Sequence, residues 1–119
     1  MSHKHRNRIL AKPKARARVF AALGDKTRLA LVAQLCSGKP CSIARLAEDS
    51  KLTRQAITKH LRVLERAGIV RSAHAGRERL FEFDPEPMEG LRDYLDSVSK
   101  EWDKALSRLK SFVEDQDSA

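Results

Sequence analysis

Between Ser42 and Phe83 the sequence carries two short runs of helical periodicity, separated by little more than a turn, and then a period-two stretch interrupted at Gly76. Few folds accept that order. Helices of this length are marginal alone and an isolated hairpin is no better, so all three pieces must share one core. The arrangement expected is a helix-turn-helix with a β-hairpin at its edge.

The second of the two helices divides sharply. Over residues 53–64, Ile57, Leu61 and Leu64 point one way, while Arg54, Gln55, Thr58, Lys59 and Arg62 point the other. That outer face combines amide, hydroxyl and cationic groups and carries no acid, whereas an ordinary solvated face mixes both charge signs. Such an inventory can pair with base edges and phosphates. Thr53 is the expected N-cap, and Arg54 and Gln55, at the N-terminal end, are the candidates for reading bases. Arg62, toward the groove edge, suits a phosphate. His60 lies nearer Ile57 and Leu64, where a packing role and a phosphate contact both remain open.

The rest of the chain supplies a frame. A helix from Lys14 carries Ala17, Val19, Phe20 and Leu23 and stops near Gly24. Asp25 caps a second helix with Leu29, Leu31, Val32 and Leu35, which ends before Pro40. Ser42 caps a third, in which Ile43, Leu46 and Ala47 face inward and Arg45, Glu48 and Asp49 stay wet. After Gly68, Ile69 to His74 and Arg77 to Phe83 read as strands, with Gly76 free to take the positive φ of a tight turn. Arg77, Arg79, Phe81 and Phe83 share one side of the second strand, so the phenylalanines anchor it and the arginines reach past it, where a minor groove or its phosphates would lie.

The last helix, about 86–115, begins behind Asp84 and Pro85. Leu91, Leu95, Val98, Trp102, Ala105, Leu109 and Phe112 recur at alternating spacings of four and three, a heptad seam that Leu106 and Val113 widen. One helix of that length has too little neighbouring chain to cover it, so it is expected to pack partly on its own domain and partly on a second copy. Val19 and Phe20 of the first helix are expected to help. A two-fold dimer implies a pseudo-palindromic DNA target.

Composition agrees. The chain has 119 residues and a net charge of +8, distributed as nine cations to one anion over residues 1–28, ten to six over 29–84 and five to nine over 85–119. A basic front with an acidic tail suits a body that meets a polyanion while its C-terminal helix faces elsewhere. One mainly α domain is expected over 14–115, with a basic arm at 1–13 and a tail at 116–119. The arm has no apolar run of signal type and no segment is long enough to span a membrane, so a cytoplasmic location is the expectation. Cys36 and Cys41 are read as reduced, Cys36 as a small core residue and Cys41 as the more accessible thiol, with oxidation at Cys41 an alternative form of regulation. His3 and His5 on the arm make at best a weak metal site. No nucleophile elbow, phosphate loop or metalloprotease spacing is present, which argues against an enzyme. A protein-interaction module built on the same fold is the alternative to DNA binding.

The run from Ala22 to Arg28, Ala44 to Ala47, the stretch from Leu52 to Val70 with its Lys-His-Leu-Arg-Val-Leu segment, and the Gly-Arg-Glu-Arg wing beginning at Gly76 resemble the ArsR-type winged helix-turn-helix repressors. The resemblance covers about residues 14–115. It implies a homodimer, held by its terminal helices, that occupies an operator near its own promoter and leaves it when an inducer, here unnamed, binds. Family members that sense metals carry a cysteine pair in the third helix; alignment on Leu46 places Ser42 and Ala44 there. A second family metal site uses Asp and His on the last helix, which has no His in this chain. No metal or other cofactor is therefore implied. The long last helix with Trp102 resembles the subgroup often encoded beside polyketide-cyclase-like or START-like proteins.

Overall fold

The computed structural model describes residues 12–118. Helix α1 (Pro13–Leu23) and α2 (Lys26–Leu35) lead into a two-residue strand β1 (Cys41–Ser42), then α3 (Ile43–Glu48) and α4 (Arg54–Arg66). Strands β2 (Val70–Ala75) and β3 (Glu78–Phe83) follow, and α5 (Pro85–Ser118) closes the chain. The architecture is the expected one, mostly helical with a small antiparallel sheet.

Local chemistry sets the helix starts. Pro13 opens α1 at a position whose N–H would have no intrahelical partner. Asp25, Ser42 and Thr53 cap α2, α3 and α4, their side chains accepting the backbone N–H of Arg28, Arg45 and Ala56 respectively. At the other end of α4, the Gly68 N–H donates to the Glu65 carbonyl and the Ile69 N–H to that of Leu64, both at 3.0 Å. With Gly68 at φ 83° this is a Schellman stop, and it turns the chain directly into the sheet. The arm expected over 1–13 falls almost wholly outside the described residues, His3 and His5 with it, and its last residue, Pro13, is helical. The expected tail at 116–119 is helix through Ser118, because no breaker follows Phe112.

The sheet has three strands in the order β1-β3-β2. The hairpin was legible in the sequence; β1 was not. Cys41 pairs with Phe81 and Ser42 with Leu80, so the residue that caps α3 also borders the central strand. Two residues carry no periodicity, and only the neighbouring strand gives them their extended form.

A single core joins these elements: Val19, Ala22, Leu31, Leu35, Leu46, Ile57, Leu61, Leu64, Ile69, Val70, Phe81 and Leu91 are all buried. Two of them correct the expected partner interface. Val19 is 1% exposed and Leu91 6%, so both are spent inside the protomer. Both lie on the side of their helix that meets the domain, and a one-dimensional pattern cannot separate inner from outer apolar positions. Of the apolar residues on α2, Leu31 and Leu35 are buried whereas Leu29 stands 52% exposed. The thiols are also reversed. Cys36 is exposed just past the end of α2, whereas Cys41 is half-buried against the core, its Sγ 3.6 Å from the Lys39 carbonyl.

Polar contacts lock the corner where α1, α2 and α4 meet. Arg28 Nε donates to the Ala22 carbonyl at 2.6 Å and Nη2 to that of Ala21 at 3.3 Å, covering the open C-terminal end of α1. Its Nη1 lies 3.4 Å from His60 Nδ1 on α4. A guanidinium can only donate, so in this contact Nδ1 is the acceptor. Asp25 Oδ2 accepts the Arg28 N–H at 3.0 Å and sits 3.9 Å from the same imidazole nitrogen. The Asp25 carboxyl is held below its ordinary value, first by that backbone hydrogen bond and then, among the lowering influences, by the Arg28 charge.

Helix α5 leaves this body early. Asp84, 2% exposed, donates its N–H to the Ile69 carbonyl at 2.9 Å and accepts that of Glu86 at 3.2 Å. Tyr94 then meets Phe20 edge to face, ring centroids 6.2 Å apart, and Arg16 lies 4.3 Å over the Tyr94 ring. From Ser99 to Asp117 every residue is exposed. As expected, the helix packs on its own domain, through Leu91 and Tyr94, but only near its start; Leu106 and Val113, which widen the stripe, are exposed, because 34 residues at about 1.5 Å each carry the helix well beyond that body. The molecule measures 73 × 37 × 23 Å as a result.

Two outcomes test this account of the fold. Leu61→Ala, which empties the centre of the core, is expected to cost about 2–5 kcal/mol in urea unfolding, and Leu29→Ala under about 0.5 kcal/mol. For Asp25, a folded-state value lowered from the unfolded one means its charge contributes fully above the ordinary carboxylate value and is lost as pH falls through the lowered value. The gap in urea midpoint between the native chain and Asp25→Asn is therefore greatest near neutrality and closes in acid.

Candidate nucleic-acid interface

Helix α4 is at once the central helix of the core and the most cationic exposed helix of the turn motif. Ile57, Leu61 and Leu64 are wholly buried. On the opposite side Gln55, Lys59, Arg62 and Arg66 follow each other at spacings of four, three and four, and all are exposed. Thr53 and Arg54 are exposed at the N-terminal end, where the first turn carries no acid and the helix dipole favours a phosphate. Thr58 is half-buried, and its hydroxyl donates to the Arg54 carbonyl at 2.7 Å. That proton is committed to the backbone, which leaves the side chain its methyl group and acceptor lone pairs. The turn before α4 is held by Ser50, whose hydroxyl accepts the Leu52 N–H at 3.0 Å.

The hairpin stands beside this face. Ala75 pairs with Glu78, so Gly76 and Arg77 form the two-residue turn. Gly76 has φ 65° while Arg77 keeps a negative φ, the sign pattern of a type II′ turn. Arg77 and Arg79 are exposed near the tip, with Arg79 opposite His74, and Phe81 anchors the same strand in the core. At the base Arg71 is neutralised, its Nε 2.7 Å from Glu82 Oε1 and its Nη1 3.9 Å from Asp84 Oδ2. Ser72 donates to Glu65 Oε2 at 2.7 Å, tying the wing to α4. Sequence reading missed this tie, since nothing in the spacing of Glu65 and Ser72 marks it. It also left the place of His60 open; the imidazole is engaged with Arg28 and Asp25 and is turned toward the α1–α2 corner.

The structure thus brings Thr53, Arg54, Gln55, Thr58, Lys59 and Arg62 together on one helix and Arg77 and Arg79 together on the adjacent hairpin. Of the expected interface residues, Phe20, Leu95, Trp102, Ala105, Leu109 and Phe112 are exposed and Val98 is half-buried. A family metal site has no donors at the third helix: Ser42 Oγ caps α3 and Ala44 has no ligand atom. Among the described residues no three His, Cys, Asp or Glu side chains are grouped to hold a metal ion. No helix among them is long and apolar enough to cross a membrane.

Known proteins share this arrangement. A family described as a helix-turn-helix domain matches residues 23–73. The HTH-type transcriptional regulator Rv2034 of Mycobacterium tuberculosis is 34% identical over 99 residues, covering 83% of this chain and 89% of that one. YuzN, an HTH-type transcriptional regulator of Bacillus subtilis, is 39% identical over 61% of this chain and 86% of its own. Among solved structures, an ArsR-like transcriptional regulator from Rhodococcus sp. RHA1 superposes with a TM-score of 0.73 at 34% identity, covering 83% of this chain and 92% of that one. With the exposed cationic helix and its arginine-tipped wing already in place, these likenesses set the protein apart from enzymes: the chain belongs to the ArsR-type family of winged helix-turn-helix, DNA-binding transcriptional regulators.

Proposed function

We propose that the protein is a homodimeric repressor that occupies a pseudo-palindromic operator in or near its own promoter. The observation that carries the DNA reading is the acid-free outer face of α4 beside the arginine-tipped wing. In this reading each α4 enters a major groove, with Arg54 and Gln55 at base edges and Thr53, Thr58, Lys59 and Arg62 on or near the backbone. Arg77 and Arg79 lie along the flanking minor groove or its phosphates. The two α4 helices of a dimer would read half-sites about 34 Å apart, one turn of duplex.

The dimer is supported by α5. Leu95, Trp102, Ala105, Leu109 and Phe112 form an apolar seam in solvent, with Trp102 65% exposed. A contiguous apolar strip of this kind is unusual on a protein that stays single. The same seam on a second copy covers it with matching chemistry, and the half-exposed Phe20 beside Tyr94 extends the strip to α1.

A gel-shift titration against the chain's own upstream DNA tests the repressor reading, with unrelated duplex in excess and at two salt concentrations. A discrete complex that survives competitor, and weakens steeply with salt, is the expected result. Binding lost to competitor counts against an operator, and affinity indifferent to salt points to a protein-interaction module. Arg54→Ala should relax preference at one base position by about 1–3 kcal/mol. Arg79→Ala should weaken binding to all sequences alike and reduce the salt slope by about one. Trp102→Glu with Leu109→Glu should shift the sedimenting species from dimer to monomer while the α-helical circular dichroism of the N-terminal body persists.

A further inference from the structure

Arg18 of α1, Arg28 of α2 and Arg66 of α4 line one open pocket of about 610 Å³, floored by Ala21, Ala22 and Val63. The volume falls in the range of small-molecule sites. No carboxylate lines it. Among the described residues neither Arg18 nor Arg66 has an acidic partner, and both are exposed. Arg66 also lies near the C-terminal end of α4, where its charge complements the helix dipole, but that role does not require two more guanidinium groups around the same hollow. Arg28 has the Asp25 carboxylate beside it, but Arg18 and Arg66 add two guanidinium groups with no acid among the described residues to offset them, and a planar fork of donors suits a carboxylate.

We propose that this pocket is an effector site for a compact amphipathic monocarboxylate, its apolar body on Ala21, Ala22 and Val63 and its charge among Arg18, Arg28 and Arg66. The route to DNA runs through Arg28. That guanidinium holds the Ala21 and Ala22 carbonyls and faces His60 Nδ1 on α4. A carboxylate in the pocket competes for the same donors, loosening the contact that fixes α4 against the α1–α2 corner. Occupancy then changes how well α4 presents its outer face. The regulatory half of this proposal rests on the DNA-binding reading above; the binding half does not.

The test separates them. The free chain, isotope-labelled and without DNA, is titrated at constant ionic strength with benzoate and phenylacetate, and in parallel with benzamide and phenylacetamide. Shifts confined to the amides of Ala21, Ala22 and Val63 and to the Nε groups of Arg18, Arg28 and Arg66 are expected. The acids should bind at least tenfold more tightly than the amides, and Arg18→Gln or Arg66→Gln should remove that advantage without altering the rest of the spectrum. Equal binding of acids and amides, no binding, or shifts centred elsewhere would overturn the site. Fluorescence anisotropy on a duplex that binds the chain then reads the coupling. Saturating benzoate or phenylacetate should change DNA affinity at least threefold in the native chain and leave Arg18→Gln unmoved, Arg18 being the pocket arginine that lies off the outer face of α4. Unchanged DNA affinity at saturation refutes the effector role. A fall in probe-free DNA affinity and salt slope in Arg18→Gln assigns the arginines to phosphate contact and overturns the pocket.

Discussion

Burial of one face of α4 is the constraint on which the rest of the structure depends. Ile57, Leu61 and Leu64 have no exposed surface, and each is worth on the order of 1.5–3 kcal/mol in transfer from water. Because the three lie on one stripe, the rotation of α4 about its axis is fixed by the core. Gln55, Lys59 and Arg62 must then face outward together. Stability and display are two consequences of one helix orientation, so a change that lets α4 roll would damage both.

Polar contacts settle what apolar packing leaves loose. Hydrophobic contact is non-directional and tolerates sliding, whereas hydrogen bonds do not. Arg28 spans three helices from one side chain, the Schellman turn at Gly68 sets the angle at which the chain leaves α4, and Glu65–Ser72 fixes the wing to that helix. The distal part of α5 has no such ties to its own body. Its apolar seam stays uncovered over that length, with Trp102 65% exposed.

Much of the fold was legible because it is written in local chemistry. Asp25, Ser42 and Thr53 are capping residues ahead of apolar periodicity, Gly76 stands where a hairpin needs positive φ, and the two faces of α4 separate at the helical period. The candidate DNA-facing residues follow from that same separation. What stayed hidden depends on partners distant in the chain. Strand β1 exists because Phe81 and Leu80 pair with it. The reversed burial of Cys36 and Cys41 follows from where α2 ends and β1 begins against the sheet, and His60 could not be placed until Arg28, thirty-two residues earlier, was brought beside it.

The sequence by itself determined the order of helices and strands, their caps and turns, and the acid-free face of α4, since each depends on residues within about one turn of one another. Only the tertiary structure decided that Val19 and Leu91 close the protomer's own core while Trp102, Leu109 and Phe112 remain uncovered, and that Arg18, Arg28 and Arg66 surround one hollow. Apolar periodicity says which side of a helix avoids water but not what covers it, and the spacing of charges along a chain does not state their distance in space.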